Sequence, residues 1–330
     1  MRVFVTHDPE DRSAYFGRAL PRLEAIAEVV VNPLDRDLTT DELITAAAGC
    51  QAIVAHRSTP GDASLFAALP ELVAFLRCAV DISTIDVGAA SAHGVLVGRA
   101  DKSFVASTAE LALGLLIDCA RNISRSTMDY HDDRVPPQRP GIQLRGRTAG
   151  IIGLGAIGSY LADLLTALGM RVLVHDPHVD APGGLEQVDL ADLLARADAV
   201  FPLAPGGAET THLIGPEELA AMRPGALLVN VSRGEVLDED AVAAALDSGR
   251  LGGLGIDVGS GADQRPAPRL AARSGVVATP HLGGLTPENA DAQAASAVEQ
   301  VAAMLDGEFP PRTVNPDHAD RLVRFWAARR

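Results

Sequence analysis

Cysteine is scarce in this chain. Its 330 residues hold three, Cys50, Cys78 and Cys119, and none stands in a CxxC spacing. Three thiols cannot build a disulfide framework, so they are expected to be the reduced, inert cysteines of a cytoplasmic protein. Positive charge is also in short supply: 28 Lys and Arg face 43 Asp and Glu, for a net charge of −15. An acidic surface repels phosphate backbones and anionic lipid, which argues against nucleic-acid or polybasic membrane partners. No apolar run reaches the roughly 18 residues of a membrane span. The opening MRVFVTHDPEDR lacks the charged-then-apolar pattern of a secretory signal, and none is expected. The nine histidines are dispersed, without HExxH or another paired ligand spacing, so no metal site is expected. GxSxG and Walker phosphate-loop motifs are missing too.

What is present is apolar substance. Hydrophobic residues make up 47% and charged residues 22%, enough for two cores at the usual ~100–200 residues per domain. Short apolar runs alternate with helix-period stretches, which predicts βαβ units, parallel sheets and an α/β fold. In the first hundred residues, 3–6, 52–55 and 75–79 read as strands, with helical stretches around 15–27, 40–47 and 63–69. A long Ala/Leu-rich helix is predicted over 103–121, then a polar, Pro-rich connection over 129–146. Strands follow at 148–152, 171–175, 199–203, 226–231, 253–258 and 276–279, and a last helix at 287–305.

The strongest local pattern is Gly153-Leu-Gly155-Ala156-Ile157-Gly158, after an apolar strand and before a helix read over 159–168. Gly153 permits the tight turn, Gly155 lets a pyrophosphate approach the backbone, and Gly158 allows close helix–strand packing. The helix start offers free N–H groups and the positive end of its dipole. Asp176 closes the next strand, 18 residues past Gly158. A carboxylate there suits the ribose hydroxyls of NAD and repels the 2′-phosphate of NADP.

A second constellation spans about fifty residues. Arg233, in VNVSRG, and His281, in TPHLGG, each follow a predicted strand. Ketone reduction needs a cation that holds a carboxylate and polarises the carbonyl, and Arg does this with parallel hydrogen bonds. It also needs a proton donor that titrates near neutrality, which is His.

The phrases LRGRTAGIIGLGAIG, VHDP, HLIGPEELAAMRPGALLVNVSRG, GLGIDV and TPHLGG together resemble the D-isomer-specific 2-hydroxyacid dehydrogenase family. That resemblance implies two doubly wound parallel-sheet domains: a Rossmann NAD-binding domain, 101–286, inserted into a discontinuous flavodoxin-like catalytic domain, 1–100 with 287–330. It implies an NAD-dependent enzyme of small 2-hydroxy or 2-oxo acids and a homodimer whose interface includes helix 103–121. Arg233 would bind substrate and His281 would be the general acid/base. Cofactor contacts would fall on Gly153, Gly155, Ala156, Ile157, Gly158, Asp176, Ala204, Pro205, Val231, Ser232, Arg233, Asp257, His281, Gly283 and Gly284. Substrate contacts would fall on Arg57, Val80, Asp81, Arg233 and His281.

Some departures stand out. The family's catalytic glutamate has no clear counterpart in Ala262-Asp263-Gln264. Asp263 is the favoured partner of His281, because a carboxylate beside an imidazole stabilises its charged form. Gln264 is the alternative, as in formate- or phosphite-type dehydrogenases, and a third reading has His281 act alone. Asp81 stands where the family commonly has glycine, so either its side chain points away or the substrate carries a hydroxyl or amine. A non-catalytic NADH sensor of the corepressor kind would share the same scaffold.

Overall fold

The computed structural model describes residues 1–329, which divide into two compact units: 1–103 with 287–329, and 104–286. The first unit holds five parallel strands: β1 (Arg2–Val5), β2 (Glu28–Val31), β3 (Ala52–Ala55), β4 (Ala74–Arg77) and β5 (Leu96–Arg99). Their order is β2-β1-β3-β4-β5. Alternation along each strand sends side chains to both faces. Val3, Val5, Val54 and Leu76 join one core, with Phe16 and Leu23. Phe4, Ile53, Phe75 and Val97 join the other, with Leu43, Leu65 and Phe66. A parallel sheet is stable only with both faces covered. The cover for the first face comes largely from the 20-residue helix Pro287–Asp306, through Ala294, Val298, Val301 and Met304.

The second unit holds seven parallel strands: β6 (Thr148–Ile152), β7 (Arg171–His175), β8 (Glu186–Gln187), β9 (Ala199–Pro202), β10 (Ala226–Asn230), β11 (Leu251–Ile256) and β12 (Val276–Ala278). Their order is β12-β11-β10-β9-β6-β7-β8, so the chain reverses its direction of travel between β6 and β9. That reversal opens a crevice at the carboxyl ends of the strands. The helix Val105–Arg121 packs Ala109, Ala112, Leu115 and Leu116 onto one face of this sheet.

Several expectations need correcting. Sequence reading found three strands in the first hundred residues and missed β2 and β5. β2 is a short edge strand, half-exposed along its length, and β5 ends on a glycine and an exposed arginine. The stretch read as one helix over 15–27 is a π-helical turn, Arg12–Phe16, and a separate helix, Leu20–Glu24. Ile123–His131 is helical although none of its residues is buried, so it carries no apolar stripe to read. The strand read at 75–79 ends at Arg77, which leaves Cys78–Val80 in the loop.

Candidate active site

The glycine turn follows β6. Gly153 takes φ +99°, and a Cβ there would lie 2.9 Å from the backbone of Leu203 and Ala204, which follow β9. Gly158 has less room still: its Cβ would stand 2.3 Å from the Gly153 carbonyl oxygen. Gly155 is the opposite case, with nothing of the protein within 4 Å of its Cβ position. The helix begins at Ala156, three residues earlier than the sequence reading, with Gly155 as an N-cap that lends no side chain. Its first amides, at Ala156 and Ile157, therefore have no partner within the helix. Open space over Gly155 beside free amides at a dipole's positive end fits a pyrophosphate.

Asp176, just past β7, is tied into this turn. Its Oδ2 accepts from Leu154 N at 2.7 Å, and Oδ1 accepts from His178 N at 2.8 Å and Val179 N at 3.0 Å. Burial works to raise its pKa, but the amides of His178, Leu154 and Val179 hold it below the ordinary carboxylate value. The sequence reading placed Asp176 against a ribose and did not foresee that it also braces the turn.

Arg233 follows β10 and is exposed; its guanidinium donates to the Ser232 carbonyl at 2.8 Å. The turn that presents it is built on Asn230, which is fully buried. Asn230 Nδ2 donates to the Arg233 carbonyl at 2.9 Å, while its Oδ1 accepts from Ser232 N at 3.0 Å. The Ser232 hydroxyl also reaches the Pro202 carbonyl, at 2.8 Å, and links the turn to β9. Gly234 follows, and its Cβ would press 2.3 Å from the Gly259 carbonyl oxygen. The loops after β10 and β11 thus touch backbone to backbone. Sequence reasoning missed Asn230, whose signal was the Asn inside VNVSRG.

His281, half-buried after β12, has φ +63°. Left-handed backbone costs a non-glycine residue free energy and is retained where the surroundings impose it. Those surroundings are Asp257, 1% exposed at the end of β11. Its Oδ1 accepts from the Thr279 hydroxyl at 2.6 Å and from Leu282 N at 2.7 Å, and its Oδ2 accepts from Gly283 N at 2.8 Å. The Asp257 carbonyl accepts from His281 N at 3.0 Å. One buried side chain grips both flanks of the histidine. Asp263 does meet His281, but the group that meets Nδ1 is its main-chain carbonyl, at 2.8 Å, and not the carboxylate expected from the sequence. The physical reason is the turn: Asp263 and Gln264 both take left-handed φ, +54° and +55°. A carbonyl only accepts, so Nδ1 carries the proton and Nε2 is the nitrogen open to exchange. Gln264 makes no hydrogen bond to His281 among the described residues, and its Oε1 is buried without a partner.

The remaining predicted substrate contacts lie in the first unit, whereas Pro205, Val231 and Gly284 lie in the second. Arg57 follows β3 and is exposed. Val80 and Asp81 lie in the loop after β4. Asp81 is exposed and turned onto its own loop: Oδ1 accepts from Ser83 N at 2.9 Å and Oδ2 from the Ser83 hydroxyl at 3.0 Å. Of the two orientations left open by the sequence, the carboxylate takes the one that faces its own turn.

Known proteins resemble this chain over most of its length. The family model described as "D-isomer specific 2-hydroxyacid dehydrogenase, NAD binding domain" matches residues 113–283. A D-3-phosphoglycerate dehydrogenase of Mycobacterium bovis is 37% identical over 280 residues, covering 83% of this chain and 53% of the relative. The chain thus spans about half the length of the phosphoglycerate dehydrogenases it matches. A glyoxylate reductase of Korarchaeum cryptofilum is 32% identical over 329 residues and 96% of both chains. Among solved structures, the TT0316 protein of Thermus thermophilus superposes with a TM-score of 0.84 at 32% identity, covering 95% of this chain and all of that one.

Proposed function

Because this chain belongs to the D-isomer specific 2-hydroxyacid dehydrogenase family, with residues 113–283 as the family's NAD-binding domain, we propose that it is an NAD-dependent oxidoreductase of small 2-hydroxy and 2-oxo acids. The observation that carries this reading is His281. A strained histidine is gripped on both flanks by Asp257, with its proton fixed on Nδ1, at the same carboxyl edge of the sheet as Arg233 and the glycine turn.

The amides of Ala156 and Ile157 would hold the pyrophosphate over Gly155 and Gly158, and Asp176 the adenosine ribose. Ala204, Pro205, Val231, Ser232, Asp257, Gly283 and Gly284 would line the rest of the groove. Bound NAD(H) supplies the hydride exchange at the substrate carbon. Arg233 pairs with the substrate carboxylate and steadies charge on the reacting oxygen. Nε2 of His281 gives that oxygen its proton in reduction and removes it in oxidation. Arg57 is a second anion contact, and the loop of Val80 and Asp81 offers backbone N–H groups to the carboxylate. On this reading residues 1–100 with 287–330 form the substrate domain, 101–286 the nucleotide domain, and the protein works as a cytoplasmic homodimer.

The test follows NADH absorbance with glyoxylate, hydroxypyruvate, pyruvate, 2-oxobutyrate and phenylpyruvate. Oxidation with at least one of them, lost in His281→Ala, is expected. Tight NADH binding with no turnover on any 2-oxo acid would overturn the proposal in favour of a sensor.

A further inference from the structure

Glu239 opens the helix Glu239–Asp247, yet that helix is capped without it. The cap is Asp238, whose side chain accepts from Asp240 N and Ala241 N. Glu239 instead reaches away from its helix to the loop after β11. Its Oε1 accepts from Ser260 N at 2.8 Å and its Oε2 from the Ser260 hydroxyl at 2.9 Å. Only 8% of this side chain is exposed, and a carboxylate so placed needs hydrogen bonds to meet it. Arg269 adds a third contact, at 3.3 Å, from a side chain that is 63% exposed.

The loop that Glu239 grips is closed on itself. Gly259 N donates to Gln264 O at 2.8 Å, Gly261 N to Arg265 O at 2.8 Å, and Arg265 N to Ala262 O at 3.1 Å. These bonds tie 259–265 into one turn without slack. A Cβ at Gly259 would stand 2.7 Å from Pro266 Cα, and one at Gly261 2.6 Å from Arg265 O. Asp263 and Gln264 take left-handed backbone within it, a conformation that persists where the surroundings impose it. A shift at Ser260 therefore carries the Asp263 carbonyl along. That carbonyl is the acceptor for His281 Nδ1.

The nitrogen that carries the proton of a neutral imidazole is set by the hydrogen bond the other nitrogen makes or lacks. With the carbonyl in place, Nδ1 keeps the proton and Nε2 keeps its lone pair. Without it the proton is free to settle on Nε2, which then cannot accept one from a substrate hydroxyl. We propose that Glu239 is a positioning residue for His281: by gripping Ser260 it fixes the 259–265 turn, and through the Asp263 carbonyl it holds the imidazole in the tautomer that proton transfer needs. The chemical use of that tautomer rests on the dehydrogenase reading; the tautomer itself does not.

Nitrogen-15 NMR of the full chain, labelled at histidine and held at alkaline pH where imidazoles are neutral, tests it. The His281 signals are identified by their loss in His281→Ala. The wild type should show Nδ1–H, and Glu239→Ala should move the proton largely to Nε2. Glu239→Gln should keep Nδ1–H, because its amide still accepts from Ser260 N and donates to the Ser260 hydroxyl. Arg269→Ala should keep it too, since an exposed ion pair contributes little. Ser260→Ala alters an exposed side chain and leaves one of the two bonds, so it should give a mixture even if Glu239→Ala fails to fold. In turnover, Glu239→Ala should lose about tenfold or more in kcat with the KM for NADH in place, and Glu239→Gln should restore it. An Nδ1–H signal unchanged in both alanine variants at position 239 and 260, or a glutamine variant that shifts as far as alanine, would overturn the role of Glu239. A tautomer shift with no turnover on any 2-oxo acid would uphold that role and remove the dehydrogenase reading instead.

Discussion

His281 and Asp257 form a unit in which the buried member decides where the histidine stands. Three donors from Thr279, Leu282 and Gly283 converge on one carboxylate. Asp257→Asn leaves one acceptor oxygen for three donors, and a misplacement near 1 Å costs about 100-fold in rate. Turnover should fall by that order while circular dichroism is unchanged, as steady-state kinetics will report. Asp263→Asn should behave differently. Nδ1 is held by a main-chain carbonyl, and Asn tolerates left-handed backbone as Asp does, so turnover should change far less than in Asp257→Asn. A loss of the same order would return the carboxylate to the mechanism. At this scale the sequence was half legible. Arg233 and His281 stand out because their types and strand-end places announce the chemistry. The grip of Asp257, the brace of Asn230 and the carbonyl of Asp263 depend on which atoms a turn exposes, and no spacing encodes that.

Among elements, the glycine turn allows two substitutions of equal size to be set against each other. A Cβ at Gly158 strikes the Gly153 carbonyl, whereas one at Gly155 meets open space. Gly155 also has an ordinary extended backbone, φ −75° and ψ −166°. Gly155→Ala should therefore keep the wild-type melting temperature yet lose about tenfold or more in NADH affinity, the Cβ taking room needed by the phosphates. Gly158→Ala should lose both stability and affinity. Calorimetric melts beside NADH titrations separate the two. The helix Thr40–Ala46 offers a pH test. Its N-cap Thr39 and Glu42 form a reciprocal capping box, and Arg36 pairs with Glu42 at 2.6 Å. The Arg36 hydrogen bond, then those from Thr39, pull the Glu42 carboxyl down to about 2. Its folded pKa is depressed, so its contribution is fully present above the ordinary 4.5 and is lost as pH falls toward 2. Glu42→Gln should flatten that part of the urea-derived stability curve. Elements with a buried stripe were readable, save β5, which a glycine and an exposed arginine cut short. β2 and the helix Ile123–His131 were not, because neither buries a face.

For the molecule as a whole, the two units have separate cores and should answer separately to damage. Val301 is fully buried in the core shared by β1, β3 and the helix Pro287–Asp306. A carboxylate there is left without a partner, and burying one unpaired costs several kcal/mol at least. Val301→Asp should melt the first unit early while the second still binds NADH, giving two calorimetric transitions.

The helix that closes the first unit has a consequence for how the chain is made. Phe16, Leu23 and the strand residues beneath them wait for Val298, Val301 and Met304, which a ribosome delivers roughly 200 residues after Ser103. At about 5–20 residues per second this is a delay on the order of 10–40 s. During that time one apolar sheet face of residues 1–103 is covered only in part, by Phe16, Ala19 and Leu23, while the middle of the chain can already fold. Synthesis thus inverts the linear order: the part begun first is finished last, and a holding chaperone has its longest engagement with residues 1–103.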